Sequence, residues 1–269
     1  MALWSPSNLN ATLTAWQQGG TGVSVSSWTD SSGNSNNLVQ AASGDQPAVT
    51  TLNGLDILDF NRTQLDHMDY GDLDAMDVGT GDFYTFIVMN PDVSNAFMAL
   101  LAKHSAADDY LLRVDANNKI QQYIGSNAAG IVTGSTTISS GTTYIIAGYR
   151  DSSVSRVRVD GAADGFALNA NSFSNANAFH VAGQASTGTS ANFDGQIAEI
   201  IMGPGSIETE EIEKVEGYLA ERFALTSLPS SHSYKQHPPT EYLEISGTQG
   251  DIESGLTLSV SSELTTVRI

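Results

Sequence analysis

The sequence predicts an all-β protein: a two-sheet antiparallel sandwich with one amphipathic helix and a C-terminal β extension. Three observations predict it. Short runs of β-branched and aromatic residues recur along the chain. Gly, Asn, Asp, Ser and Pro punctuate these runs at turn spacing. A single segment, Glu208 to Phe223, carries a helical period instead.

Taken in order, Val23-Ser24-Val25-Ser26-Ser27-Trp28 alternates apolar and polar residues, the period of a half-buried strand. Leu55 to Phe60 follows an Asn53-Gly54 turn signal. Phe83 to Met89 is apolar throughout and ends at Asn90-Pro91, which predicts a central strand buried on both faces. Ala96 to Ala102 resembles it. Tyr110 to Val114, Lys119 to Ile124, Tyr144 to Tyr149 and Ser155 to Val159 follow. Phe179 to Val181 and Gln196 to Met202 complete the sandwich. In the helix, Ile212, Val215, Leu219 and Phe223 form one apolar face. Gly217 costs about 1 kcal/mol against Ala there, so packing must demand a small residue. The run from Leu228 to Pro239 holds three prolines and marks a boundary. Beyond it, Tyr242 to Ile245, Leu256 to Val260 and Thr265 to Ile269 read as strands. Residues 1–239 therefore form the main domain. Residues 240–269 are too few to build a core alone.

Composition bounds the function. The chain has 269 residues, with 30 acidic and 11 basic side chains and a net charge of −19. Phosphate backbones and anionic membranes need a cationic surface, so neither nucleic acid nor membrane is an expected partner. With no Cys, disulfides, thiolate zinc sites and cysteine nucleophiles are excluded. No apolar stretch approaches the length of a membrane span. Met1 to Pro6 lacks the basic start and apolar run of a secretory signal.

Several blocks resemble a known family. Trp28-Thr29-Asp30-Ser31-Ser32-Gly33-Asn34 is similar to the opening signature of laminin-G-like, concanavalin A-type lectin/glucanase domains. Leu58-Asp59-Phe60, Val157-Arg158-Val159-Asp160-Gly161 and Phe193-Asp194-Gly195-Gln196-Ile197-Ala198-Glu199-Ile200-Ile201 follow in the family's order. Glu211-Ile212, Val215 to Ala220 and the Leu228 to Pro239 run continue it. The resemblance covers about residues 2–239 and implies a jelly-roll sandwich. Short, Gly/Ser/Thr/Asn-rich members without a signal peptide resemble structural proteins of tailed-phage particles. The resemblance thus implies a non-enzymatic virion protein displayed on the particle exterior, as capsid decoration or a small appendage or fibre. Other virion proteins and further copies of the chain are the expected partners, and the virion is the expected location. The alternative is a carbohydrate-binding adhesin module, such as a tail fibre's receptor-binding domain. Fold alone does not choose between them.

Motifs for catalysis are mostly absent. There is no Gly-x-Ser-x-Gly elbow, no His-Glu-x-x-His and no phosphate loop. Glycosidases of this fold carry a Glu-x-Asp-x-x-Glu strand motif, and the chain has none. Glu199 stands without an acidic partner two or four positions away and reads as structural. The five His are scattered, with His232 and His237 in one Pro-rich loop. Eight Asp between Asp56 and Asp82 repel one another. Calcium would relieve this, and Asp66, Asp69, Asp72 and Asp74 are the candidate ligands. A solvated acidic loop is the competing reading. Tyr70, Tyr84, Tyr110, Tyr123, Tyr149 and Tyr234 are candidate stacking platforms for a glycan, though most lie on strands. In the tail, Leu243, Ile245, Leu256, Leu258 and Val260 form apolar faces suited to strand addition on a partner.

Overall fold

The computed structural model describes residues 3–104, 110–125, 130–184 and 191–240, with the backbones of strands in 242–245 and 258–261. The first sheet runs β14 (Ala162–Leu168), β13 (Val154–Val159), β12 (Tyr144–Asp151), β7 (Phe83–Pro91), β16 (Gly195–Pro204), β5 (Leu55–Phe60), β4 (Ala48–Leu52). Strand β1 (Ala15–Gln17) pairs with the far half of β16. The second sheet runs β11 (Val132–Thr137), β10 (Lys119–Ile124), β9 (Tyr110–Val114), β8 (Met98–Lys103), β15 (Phe179–Val181), β6 (Met68–Asp69), β3 (Leu38–Val39), β2 (Ser27–Trp28). The pairings are antiparallel, so this is the two-sheet sandwich that the strand pattern predicts.

The molecule has three layers. One core lies between the sheets and includes Phe60, Phe83, Ile87, Met89, Leu112 and Phe179. A second core lies between the outer face of the first sheet and helix α1 (Thr209–Arg222). Strand β7 explains itself by this arrangement. Phe83, Ile87 and Met89 enter the first core, while Tyr84, Phe86 and Val88 enter the second. A strand sandwiched on both sides has no polar face, hence its unbroken apolar run.

Strand β16 behaves differently. Ile197, Ile200 and Met202 face the other sheet, whereas Ala198 and Ile201 face the helix. The register against β7 shifts between Ile197 and Glu199, which marks a bulge. A bulge re-aims the side chain that it carries. Here it turns Glu199 toward the helix.

Helix α1 is held by its apolar face: Ile212, Val215, Leu219 and Phe223 are each 2% exposed or less. Gly217 meets a crossing segment. A Cβ there would collide with Tyr234 Cβ and stand 3.2 Å from Pro239 Cδ. The strap 234–239 therefore lies directly on the helix backbone, which is why no larger residue fits. It ends where Trp4 N–H donates to Pro239 O at 3.2 Å and Leu3 bridges Thr240.

Some expectations shift. The strand expected over Val23–Trp28 is only Ser27–Trp28. Val23 turns back to bridge Trp28, and Ser24 closes the turn on Ser27. The helix has Glu208 and Phe223 as caps rather than as members. Strands β17 (Tyr242–Ile245) and β18 (Leu258–Ser261) pair only with each other among the described residues. The expected strand at 265–269 lies outside the described residues.

Replacing Leu219 with Asp puts an unpaired charge into the second core. We expect a loss of about 3–5 kcal/mol, read as a lower melting temperature. A variant that melts like the wild type would show that the helix is not docked.

Candidate functional site

Two carboxylates fix the helix to the sheet, and both are fully buried. Glu216 on α1 takes Arg158 of β13 in a two-pronged bond, Nε at 2.7 Å and Nη2 at 2.9 Å. His232 Nε2 lies 3.1 Å from Oε2, the oxygen that also takes Arg158 Nη2. Tyr234 N–H donates to His232 Nδ1, so Nε2 carries the proton and donates to Glu216. Glu199, aimed by the bulge, accepts from Trp16 Nε1 at 2.7 Å and from the Tyr218 hydroxyl at 2.9 Å. Arg222 Nε stands 3.0 Å from its second oxygen. Burial lifts the Glu199 carboxyl from its ordinary 4.5 to about 7, and these partners only partly offset it. Burial, and then the Glu199 charge, raise the Tyr218 phenol, which stays a donor.

Above Glu199, a cavity of about 360 Å³ opens to solvent. Tyr218 and Arg222 stand on its helix side, Trp4 and the Pro238-Pro239 end of the strap on another. Gln18 and Asn53 supply amides. Three of these groups are wired to the buried acid. Tyr218 and Arg222 contact it directly, and Gln18 Nε2 donates to the Tyr218 hydroxyl at 3.2 Å. Arg222 also donates to Gly19 O. Asn53 has φ +50° in the two-residue β4–β5 turn, and its Nδ2 donates to Arg222 O at 3.0 Å. The turn former and the cavity wall are thus one residue. A rigid apolar wall with fixed amides and a guanidinium suits a hydroxyl-rich ligand.

The expected calcium ligands do not come together as a set. Asp66 is buried and takes Asn61 N–H at 2.8 Å. Asp69 closes a turn on Gly71 N–H at 2.8 Å. Asp72 and Asp74 do meet, and Asp77 joins them, with oxygens within 4.8 Å of one another. That trio could hold a metal ion. Lys103, fully buried, already contacts Asp72 at 2.8 Å and Asp77 at 2.7 Å. The expected partner-binding side chains of Leu243, Ile245, Leu256, Leu258 and Val260 lie outside the described residues.

Of the tyrosines, Tyr84 and Tyr110 are fully buried and cannot stack on a ligand. Tyr234 packs on Gly217. The cavity's aromatics, Trp4 and Tyr218, were not among the platforms expected. Their signals were faint: an early Trp-Ser-Pro and a Pro-Pro pair 234 residues later, brought together only by the strap.

The sequence profile of the concanavalin A-like lectin/glucanases superfamily matches residues 67–213. The chain belongs to this superfamily. No curated protein sequence matches the chain. Among solved structures, it is similar to domain 4 of AbnA, an extracellular arabinanase from Geobacillus stearothermophilus solved with arabinotriose. The TM-score is 0.58 at 16% identity, over 77% of this chain and 98% of that one. It is similar to the binding domain of Paraclostridial Mosquitocidal Protein 1, with TM-score 0.62 at 12% identity, over 79% of this chain and 53% of that one. It is also similar to Trypanosoma rangeli sialidase, with TM-score 0.55 at 14% identity, over 80% of this chain but only 34% of the enzyme. At these identities the likeness is one of fold.

Glu199 makes stability depend on pH. Below about pH 4.5 the group is protonated whether folded or unfolded. Between 4.5 and about 7 only the unfolded state releases the proton, so stability is lost as pH rises through this window. The loss from this group is about 3 kcal/mol. In Glu199→Gln that component disappears. The stability difference between wild type and variant should change by this amount between pH 4.5 and 7.5 in denaturant titrations. A difference independent of pH would contradict it.

Proposed function

We propose that the chain is a non-catalytic carbohydrate-binding module whose saccharide sits in the cavity between Trp4, Tyr218 and the Pro238-Pro239 strap. The observation that carries this reading is the wiring of Gln18, Tyr218 and Arg222 to one buried carboxylate. Polar groups held in advance lose little freedom when a ligand arrives. Their donors suit hydroxyls, and the apolar walls suit the C–H faces of a sugar ring. The sandwich shared with a domain solved with arabinotriose supports the reading. The net charge of −19 disfavours acidic glycans, so a neutral saccharide is the ligand. Glu199 fits no catalytic role here, because it is fully buried beneath the cavity, with Oε1 taken by Trp16 and Tyr218 and Oε2 facing Arg222.

A glycan array followed by calorimetry tests this. Gln18→Ala should weaken the best neutral ligand about five- to tenfold, with the melt unchanged. Tyr123→Ala, on the second sheet, should leave affinity intact. Binding to no glycan, or a loss in Tyr123→Ala alone, would refute the site.

A second reading follows the sequence expectation of a phage virion protein, with the glycan as host receptor. The separate pairing of β17 with β18 favours it, since two strands that pair only with each other among the described residues are suited to assembly. A chain ending at Thr240 should stay folded and keep its glycan affinity but no longer cosediment with particles. A chain that melts early instead would make the tail part of the sandwich.

A further inference from the structure

The strap over helix α1 has open space on both flanks. Beside the first cavity lies a second, of about 300 Å³, between the C-terminal half of the helix, the chain that follows it and the strap. Ala220, Leu225 and Leu228 give it apolar walls, and Gln236 and His237 polar ones. Glu221 and Pro238 line both cavities. One side chain of the helix and one of the strap therefore form a saddle that joins them.

The saddle and the second cavity are held in shape before any ligand arrives. Tyr234 N–H donates to His232 Nδ1 at 3.2 Å, Lys235 Nζ donates to Thr226 O, and Trp4 N–H donates to Pro239 O at 3.2 Å. These bonds fix the strap on both sides of Gln236 and His237, which are exposed. The Gln236 amide and the Glu221 carboxylate make no hydrogen bond or ion pair among the described residues. A free surface carboxylate is ordinary in a chain of net charge −19. This one stands between two cavities, the first of them lined by the Gln18 and Asn53 amides and the Arg222 guanidinium.

Given the saccharide reading above, on which this rests, we infer that the ligand is a neutral oligosaccharide chain and not a single sugar. One end fills the first cavity, the chain crosses the saddle with two ring hydroxyls donating to Glu221, and the next residues enter the second cavity. An ionised carboxylate offers two oxygens and only accepts. Neighbouring hydroxyls of a sugar ring are paired donors, and hydrogen bonds to a charged acceptor are the stronger kind. Beyond the saddle, the apolar walls take a C–H face, and the Gln236 amide, both donor and acceptor, takes a hydroxyl in either role. A strap fixed in advance loses little freedom on binding, so added sugar residues add affinity until both cavities are full.

The test uses the full chain and calorimetric titration with cello-, xylo-, malto- and galacto-oligosaccharide ladders, each from the disaccharide to the hexasaccharide. In the ladder that binds, affinity should rise about tenfold with length and then level off. Gln236→Ala should remove most of that gain and leave the disaccharide affinity as it is. Glu221→Ala, at the saddle, should weaken the hexasaccharide at least as much. Gln18→Ala should weaken every length alike. Glu221 and Gln236 are both exposed, so unchanged melting temperatures are expected and show that the variants fold. Binding of equal strength at every length, weakened in Gln18→Ala, would overturn the chain ligand and leave the first cavity as a single-sugar site. So would a hexasaccharide affinity that survives in both Glu221→Ala and Gln236→Ala. Binding to none of the ladders would overturn the chain ligand and the saccharide reading together.

Discussion

A carboxylate buried between a strand and a helix organises this protein. Glu199 sits on the strand that joins both halves of the first sheet, and a bulge turns it out of the inter-sheet core. Removed from water, it must be satisfied locally: Trp16 and Tyr218 donate to one oxygen, and the Arg222 charge stands against the other. Those partners come from β1 and from α1, so satisfying one charge fixes where the helix lies. Glu216 makes the reciprocal contact, from the helix to Arg158 of β13. With two such anchors the helix can neither slide nor rotate on the sheet without exposing a charge to an apolar layer.

The cavity is a consequence of that docking. Of its polar groups, Tyr218 and Arg222 answer directly to Glu199, Gln18 does so through the Tyr218 hydroxyl, and Asn53 is held by Arg222 O. Its apolar walls are the first residues of the sandwich and the strap that returns across Gly217. The open face of the second sheet lacks such a constraint: Arg113 lies over the exposed Phe97 ring at 4.2 Å and bonds Gln121 along the surface. Side chains held only by surface neighbours lose more freedom when they take a ligand.

Much of the fold was legible because burial leaves a period. The both-faced burial of β7 and the single face of α1 were written in their apolar spacing. Six sandwich strands carry no such period, β1, β3, β4, β6, β11 and β14, and the last two have a physical reason to hide. They meet across the edges of the two sheets, where a Cβ at Gly134 would collide with Asp164 and one at Gly165 would stand 2.8 Å from Thr133 O. Asp164 also takes Ser135 and Thr136 N–H. Close backbone approach selects Gly, Ser and Asp, the vocabulary of turns. The site was harder to see. Glu199 looked isolated because alternation places it with Ile197, and the bulge that breaks the alternation leaves no sequence mark. Trp4, Asn53 and Arg222 share a wall only after the sandwich, the hairpin turn and the strap have all formed.

The central claim is that the wired cavity beside the helix is where a ligand binds. A crystal structure of the protein soaked with its best-binding neutral oligosaccharide tests it most directly. The account predicts a sugar ring between Trp4, Tyr218 and Pro239, with hydroxyls on Gln18 and Asn53, and Glu199 untouched beneath. A saccharide on the outer face of the second sheet, with the cavity holding only water, would contradict it.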